Sequence, residues 1–167
     1  MNLIYHSEWK SPTDAVYTVA RYDYARSLWG TRIAWASFVI SEPALLLANG
    51  GVHIRHRGIA LPAPHGTEYA MYGGARIILH SAPVVDELPL PGNVGANNIL
   101  RYHGTNIVGV TDHYASPVVI AQKMLEPGAY RVEMWAGAGT DAQDVDGLAE
   151  IFDVNGVLAQ FNVMVFA

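Results

Sequence analysis

The end of the chain constrains the fold most strongly, because it joins a turn signal to strand-forming residues that are apolar on both faces. Asn155-Gly156 is typical of a two-residue turn between antiparallel strands, and it separates Leu148–Val154 from Val157–Phe166. The sequence therefore predicts a terminal β-hairpin in which Leu148 pairs with Val163.

The last strand of this hairpin has apolar side chains on both of its faces. One face carries Val157, Ala159, Phe161, Val163 and Val165, and the other carries Leu158, Met164 and Phe166. A strand of this kind is covered on both faces, since burying one such side chain contributes roughly 1.5–3 kcal/mol. The cover is either an earlier sheet or another copy of the chain. We therefore predict an interface formed by Val157, Leu158, Phe161, Val163, Met164, Val165 and Phe166.

The composition supports association between copies. The chain has 167 residues, which suits one domain, and 51% of them are hydrophobic while 15% are charged. Soluble domains usually carry about 25% charged residues, so we expect part of the surface to be buried in a homo-oligomer. The alternative is a β-rich monomer in which Thr, Asn and Gly supply the polar surface.

Charge and cysteine content exclude several classes of function. The net charge is −5 without runs of Lys or Arg, which disfavours a nucleic-acid partner. The absence of cysteine excludes disulfides, thiolate metal sites and cysteine nucleophiles. The first residues lack the pattern of a signal peptide, and the apolar run Ala44–Ala48 is too short to span a membrane. We therefore expect synthesis in the cytoplasm and no membrane partner.

The first thirty residues are predicted to form an arm or helix ahead of the main domain. Asn2–His6 has the composition of a short strand. Ser11-Pro12 has the features of a helix start, and Gly30 of a helix end. The competing interpretation of this segment is a strand, because Val and Tyr are frequent in it. The preferred division is an arm or helix over residues 1–30 and a β-sandwich over residues 31–167.

Short strands dominate the chain from Thr31 onward. Ile33–Ile40 is apolar on both faces, which predicts a central strand, and Gly73-Gly74 predicts a second tight hairpin. Long surface loops are expected at residues 81–98 and 137–147. About ten short strands at this spacing predict an all-β antiparallel β-sandwich.

Few residues suggest catalytic chemistry. Histidines at positions 53, 56, 65, 80, 103 and 113 are scattered, and a cupin-like metal site built from some of them is one alternative. Asp141, Asp144 and Asp146 share one loop, where carboxylates could hold Ca²⁺, although the full calcium-loop pattern is missing. No nucleophile or phosphate-binding motif is present, so we predict no catalytic residues, no metal site and no cofactor.

One aromatic residue suggests a binding surface. Trp135 shares the predicted outward face of its strand with Arg131 and Glu133. An exposed tryptophan beside charges is typical of an interface anchor or of a platform for a sugar ring. Trp135 and Arg131 are therefore the candidate binding residues. A carbohydrate-binding module that uses a surface glycan is the second functional alternative.

Residues Leu125–Ala138 resemble a known type of module. The phrase Leu-x-Pro-Gly-x-Tyr-x-Val-x-x-Trp-Ala-Gly-Ala is similar to the penultimate strands of compact jelly-roll heads of the tumour-necrosis-factor-like and complement-head-like type, including bacteriophage fibre heads and capsid proteins. The resemblance extends over residues 98–167. It implies a jelly-roll-like sandwich, a homotrimer with its C-terminal strand near the axis, and a non-enzymatic role as a capsid decoration protein or fibre head that contacts other virion proteins.

Overall fold

The computed structural model describes residues 1–10, 17–19, 22–23, 28–29, 31–57, 68–81, 97–105, 112–140, 148–151 and 159–167. Every regular element within these residues is a β-strand, and no helix among them is long and apolar enough to cross a membrane. In chain order the strands are β1 (Leu3–Lys10), β2 (Tyr17–Val19), β3 (Tyr22–Asp23), β4 (Leu28–Trp29), β5 (Thr31–Ile40), β6 (Ala44–Val52), β7 (Ile54–Arg57), β8 (Glu68–Ser81), β9 (Asn97–Thr105), β10 (Asp112–Ala115), β11 (Val118–Leu125), β12 (Gly128–Thr140), β13 (Leu148–Ile151) and β14 (Ala159–Phe166).

The eight longest described strands form two four-stranded sheets. The first sheet has the order β1-β14-β6-β11, and the second has the order β5-β12-β8-β9. Counted along the chain, these strands pair antiparallel as first with eighth, second with seventh, third with sixth and fourth with fifth. This nesting arises when one long hairpin is rolled up, and it defines a jelly roll. The predicted all-β, jelly-roll-like antiparallel β-sandwich is confirmed.

The hydrophobic core lies between these two sheets. Alternate residues of each strand point inward, because the side-chain period of a strand is two. Three rings bridge one end of the sandwich: Tyr5 lies 5.0 Å from Phe38, and Phe38 lies 5.9 Å from Tyr130. The largest fully buried core side chains are Phe161, Leu46, Ile54, Ile77, Met134, Val52, Val119 and Val132.

A third four-stranded sheet continues the first one. Its order is β10-β7-β13-β2, and each of its strands precedes or follows a strand of the first sheet along the chain. The third sheet thus repeats the strand order β11-β6-β14-β1 of the first sheet, with each strand replaced by its neighbour along the chain. Strands β3 and β4 form a separate two-stranded ribbon.

The helix predicted over residues 11–30 is wrong for the part of it that the structure describes. Tyr17–Val19, Tyr22–Asp23 and Leu28–Trp29 are strands, because the β-propensity of Tyr and Val, supported by pairing with β13, prevails over the capping signals. The other residues of this segment lie outside the described ranges. Residues 3–10 form an edge strand of the first sheet, so they belong to the sandwich and not to an arm.

The predicted pairing of the terminal hairpin is wrong for the residues that the structure describes. β14 pairs with β1 and β6, whereas β13 pairs with β7 and β2. Leu148 lies opposite Arg57, and Val163 lies opposite Ser7 and Ala48. Non-local pairing on both sides of β14 outweighs the local turn signal. The turn itself is within residues 152–158, outside the described ranges.

Two further strand predictions are wrong. β8 runs without interruption through Gly73-Gly74, since both glycines pair with β12 and with β9. β5 is an edge strand of the second sheet and not a central one. Its inner face is buried in the core while its outer face is exposed. β12 also extends to Thr140, into the predicted 137–147 loop.

Candidate functional site

The outer face of the first sheet is ordered in rows that cross all four strands. The row nearest the chain termini is Leu3–Phe166–Leu45–Met124, and the next is His6–Met164–Leu47–Gln122. The two following rows are more polar: Glu8–Asn162–Asn49–Ile120, with an Asn162–Asn49 hydrogen bond of 3.2 Å, and Lys10–Gln160–Gly51–Val118. Apolar side chains therefore concentrate at one end of this face.

We call the apolar end of this face the outer patch, and define it as Leu3, Leu45, Leu47, Met124, Met164 and Phe166. In the single chain Leu3 is 53% exposed and Met124 is 62% exposed, while the other four are half-buried. From strand and row spacings, its six positions cover on the order of 200 Å². The largest apolar patch on a monomer typically measures about 300–600 Å² and often has a function, so the outer patch by itself lies below that range.

The predicted interface residues divide between the core and this patch. Phe161, Val163 and Val165 are 2%, 0% and 0% exposed, so they are buried in the chain's own core and are not available to another copy. The opposite sheet of the same chain therefore covers this face of β14, which was the first of the two arrangements that we expected. Met164 and Phe166 lie on the opposite face, in the outer patch. Val157 and Leu158 are outside the described residues.

A buried carboxylate forms the densest polar cluster among the described residues. Glu133 of β12 is 2% exposed, although it lies on the face of the second sheet that points away from the core. Its Oε1 accepts a hydrogen bond of 3.1 Å from Arg32 and lies 2.9 Å from Arg131 Nε. The Arg131 N–H is not directed at this oxygen, so the contact is an ion pair and not a hydrogen bond.

The second oxygen of Glu133 is also occupied. Its Oε2 accepts a hydrogen bond of 2.9 Å from Trp135 Nε1, and His80 Nε2 lies 3.2 Å away. Each carboxylate oxygen thus contacts two nitrogens, one from a neighbouring strand and one from β12 itself. The cluster fastens β5, β12 and β8 together on their outer side.

The candidate binding residues lie inside this cluster. Trp135 is only 7% exposed, so the prediction of an exposed platform at this residue is wrong. The physical reason is its indole N–H, which finds a buried acceptor in Glu133. Arg131 is 12% exposed, and its guanidinium lies 4.7 Å from the centre of the Trp35 ring. Trp35, on edge strand β5, is the exposed tryptophan of this face at 55%.

The predicted histidine and aspartate sites receive no support as metal centres. No group of three His, Cys, Asp or Glu side chains that could hold a metal occurs within the described part of the chain. His80 contacts Glu133, and His53 Nδ1 lies 2.9 Å from Ser116 Oγ. His56 and His113 are opposite each other in the β7–β10 pair. His65, Asp141, Asp144 and Asp146 lie outside the described ranges.

Sequence reasoning missed the contribution of β6 and β11 to the outer patch. Leu45, Leu47 and Met124 alternate with buried residues in their strands, and this alternation of apolar residues was the available signal. It also missed Arg32 and His80 as partners of Glu133, because neither is near Glu133 in the sequence.

Comparisons with known proteins add little to this picture. No protein-family model matches the chain, and no curated protein matches it. Two crystal structures of a CocE/NonD family hydrolase from Staphylococcus aureus are similar, each with a TM-score of 0.43, at 9% and 8% sequence identity. The matches cover 94% and 99% of this chain but 34% and 37% of the hydrolase chains. The chain thus spans about a third of their length, and similarity of this degree carries no inference about function.

Proposed function

We propose that the chain is a non-enzymatic structural subunit of a virion, a capsid decoration protein or fibre head, that assembles as a homotrimer through the outer patch. The observation that carries the proposal is the patch itself, with apolar side chains in two successive rows of a jelly-roll sheet. Viral capsid domains are among the proteins that use this architecture. A solitary subunit would leave Leu3 and Met124 more than half exposed to water.

The geometry of the Glu133 cluster supports the non-enzymatic part of the proposal. Glu133 is the one buried acidic residue among the side chains that the structure describes. Both of its oxygens contact nitrogens of the chain's own side chains. Its role is therefore to hold the second sheet together, as expected for a building block.

The size of the outer patch sets the strength of association that we expect. Stable interfaces bury roughly 800 Å² per partner, and the patch accounts for about a quarter of that area. Ile120 and Val118, 69% and 57% exposed on β11, extend it along the edge of the sheet. We therefore expect association at micromolar protomer concentrations and not an obligate, inseparable oligomer.

The test is the molar mass of the purified chain, measured by light scattering across a concentration series. Met124→Glu places a charge in the exposed end of the patch, and we expect it to shift the mass toward that of a monomer. Gln160→Glu is the matched control, because Gln160 is exposed on the polar end of the same face. A monomer at tens of micromolar, or equal masses for both variants, contradicts assembly through the patch.

The virion role needs its own test. Particles purified from the source culture on a density gradient are probed with an antibody raised against the chain. We expect the chain to sediment with intact particles and to dissociate from them as the trimer. Its absence from every particle fraction contradicts the virion assignment and leaves the assembly result unaffected.

A further inference from the structure

Among the described strands, the second sheet has its edges at β9 and β5. The ten-residue strand β5 pairs with β12 on one side and has no neighbouring strand within the described residues on the other. Its outward side chains Trp35, Ser37 and Val39 are exposed, Val39 to 78%. Unpaired backbone groups on such an edge are a template for another strand.

Edge strands usually carry features that prevent pairing with other chains, such as charges, prolines or bulges. Other edges of this sandwich have them. β1 contains Glu8 and Lys10 and a register irregularity between Leu3 and Tyr5, and β11 contains Lys123. β5 carries Arg32 and a register irregularity at Ile33 near its start, but residues 34–40 contain no charge, no proline and no irregularity. An exposed apolar stretch of an edge strand without such features indicates a pairing surface.

The sequence of β5 is complementary to itself when two copies run antiparallel about Ser37. Trp35 of one copy then lies opposite Val39 of the other on the outer face, an aromatic–β-branched pair of the kind that stabilises sheets. On the inner face each small residue meets a large one, as in Ala36 opposite Phe38. In this register, two opposite residues are either both odd-numbered or both even-numbered. Residues whose backbone N–H and C=O groups point out of one edge are therefore opposite residues whose groups point out of the other edge.

The charges near β5 also favour a second copy of the chain. Residues 34–40 are centred on Ser37 and carry no charge, so two copies meet without like charges facing each other. Glu42 then approaches the end of the other copy's β5, where Arg32 donates a hydrogen bond to Glu133 and is still 33% exposed. In a chain with a net charge of −5, an uncharged contact flanked by this arginine favours a second copy as the occupant.

We infer that β5 is a second self-association surface, at which two copies join edge to edge into one continuous eight-stranded sheet. The contact is isologous, because the same residues are used on both sides of a twofold axis at Ser37. It goes beyond the proposed threefold contact, since it uses the other sheet of the sandwich. A threefold contact and a twofold contact close into a hexamer with dihedral symmetry when their axes meet at right angles.

The first experiment is disulfide trapping, for which the native chain is suited because it contains no cysteine. In Ser37→Cys the two introduced residues meet at the axis, where opposite Cα atoms are about 4.5–5.5 Å apart, within the range that a disulfide spans. Ser81→Cys is the matched control, because Ser81 is an exposed serine of the same sheet. Mild oxidation is expected to give a covalent dimer with Ser37→Cys and a monomer with Ser81→Cys.

The second experiment exchanges charges at the axis. Ser37→Lys and Ser37→Glu each place like charges opposite one another, and each is expected to weaken the twofold contact about tenfold. A mixture of the two variants pairs opposite charges and should restore association. Ser37 is exposed, so neither substitution enters the core. Recovery of association in the mixture would also show that both variants fold.

These experiments separate the twofold contact from the proposed trimer. Ser37→Cys is also oxidised in the Met124→Glu background, where the outer patch is disrupted. A covalent dimer there supports the β5 contact even if the trimer proposal fails. Equal trapping of Ser37→Cys and Ser81→Cys, together with masses that do not respond to Ser37→Lys, overturns the inference.

Discussion

Replacing Glu133 by glutamine tests whether the buried carboxylate holds the second sheet together. The substitution keeps the shape of the side chain but replaces one oxygen by an amide NH₂ group, which is a donor. The NH₂ group must then face either the Arg32 and Arg131 side or the Trp135 and His80 side. In both orientations, at least one N–H group, that of Arg32 or that of Trp135, loses its acceptor, and two guanidinium groups lose their counter-ion.

The size of the effect follows from burial and distance. Removing one partner of a buried ion pair typically costs 3–5 kcal/mol. The side chain of Arg32 is 33% exposed and can be rehydrated in part, whereas that of Arg131 is 12% exposed. After this discount for solvent screening, we expect Glu133→Gln to lower the free energy of unfolding by about 2–4 kcal/mol. For a chain of this length this corresponds to a drop of roughly 5–15 °C in the melting temperature.

The assay is urea unfolding followed by tryptophan fluorescence at one fixed protomer concentration, because self-association also contributes to stability. The control is Glu8→Gln, which removes the ion pair of 2.8 Å between Glu8 and Lys10. That contact is exposed, and the hydrogen bond from Lys10 lowers the pKa of Glu8. We expect no measurable change in the unfolding midpoint of this control at pH 7. A loss below about 0.5 kcal/mol for Glu133→Gln would refute the structural role that we assign to the cluster.

Two further predictions concern the close approach of the sheets and the outer face. A Cβ atom at Gly50 would overlap the sulfur of Met134, which is fully buried across the core. Gly50→Ala should therefore destabilise the chain by about 1–3 kcal/mol. In a double-mutant cycle with Met134→Ala, measured by urea unfolding, the effects of the two substitutions should be coupled. Additive effects contradict the contact. Replacing both Asn49 and Asn162 by leucine removes a hydrogen bond at both ends and adds an apolar row to the outer patch. We expect about the same stability in urea unfolding but tighter self-association by light scattering, and a mass that does not increase contradicts assembly through the patch.

The sequence is sufficient to predict the class of the fold because strand periodicity is a local property. Alternation at Tyr130, Val132 and Met134 places them on the inner side of β12, and this required no knowledge of distant residues. The face that carries Arg131 and Glu133 is also evident from this period. The burial of Glu133 is not, since it depends on Arg32 and His80, which are respectively 101 and 53 residues away.

Turn signals gave the wrong connections because a jelly roll is built from distant pairs. The Asn-Gly and Gly-Gly dipeptides indicate hairpins between neighbouring segments. In the structure the strand that ends the chain pairs with the strand that begins it, to the point that the backbone N–H of Ala167 donates to Asn2. Contacts of this kind are stabilised by the core that they close, and they are not encoded in any short window of sequence.

A strand with apolar residues on both faces has more than one physical explanation, and β14 and β5 represent two of them. β14 is central, and the opposite sheet covers its inner residues Phe161 and Val163, whereas its outer residues remain half-buried in the outer patch. β5 has the same pattern, but it lies at an edge and leaves Trp35 and Val39 exposed. The inner apolar side chains of both strands are explained by the fold, whereas the outer ones are not, and those of β5 are the more exposed. The edge strand β5 therefore requires a partner more strongly than the terminal strand β14, whose sequence first suggested one.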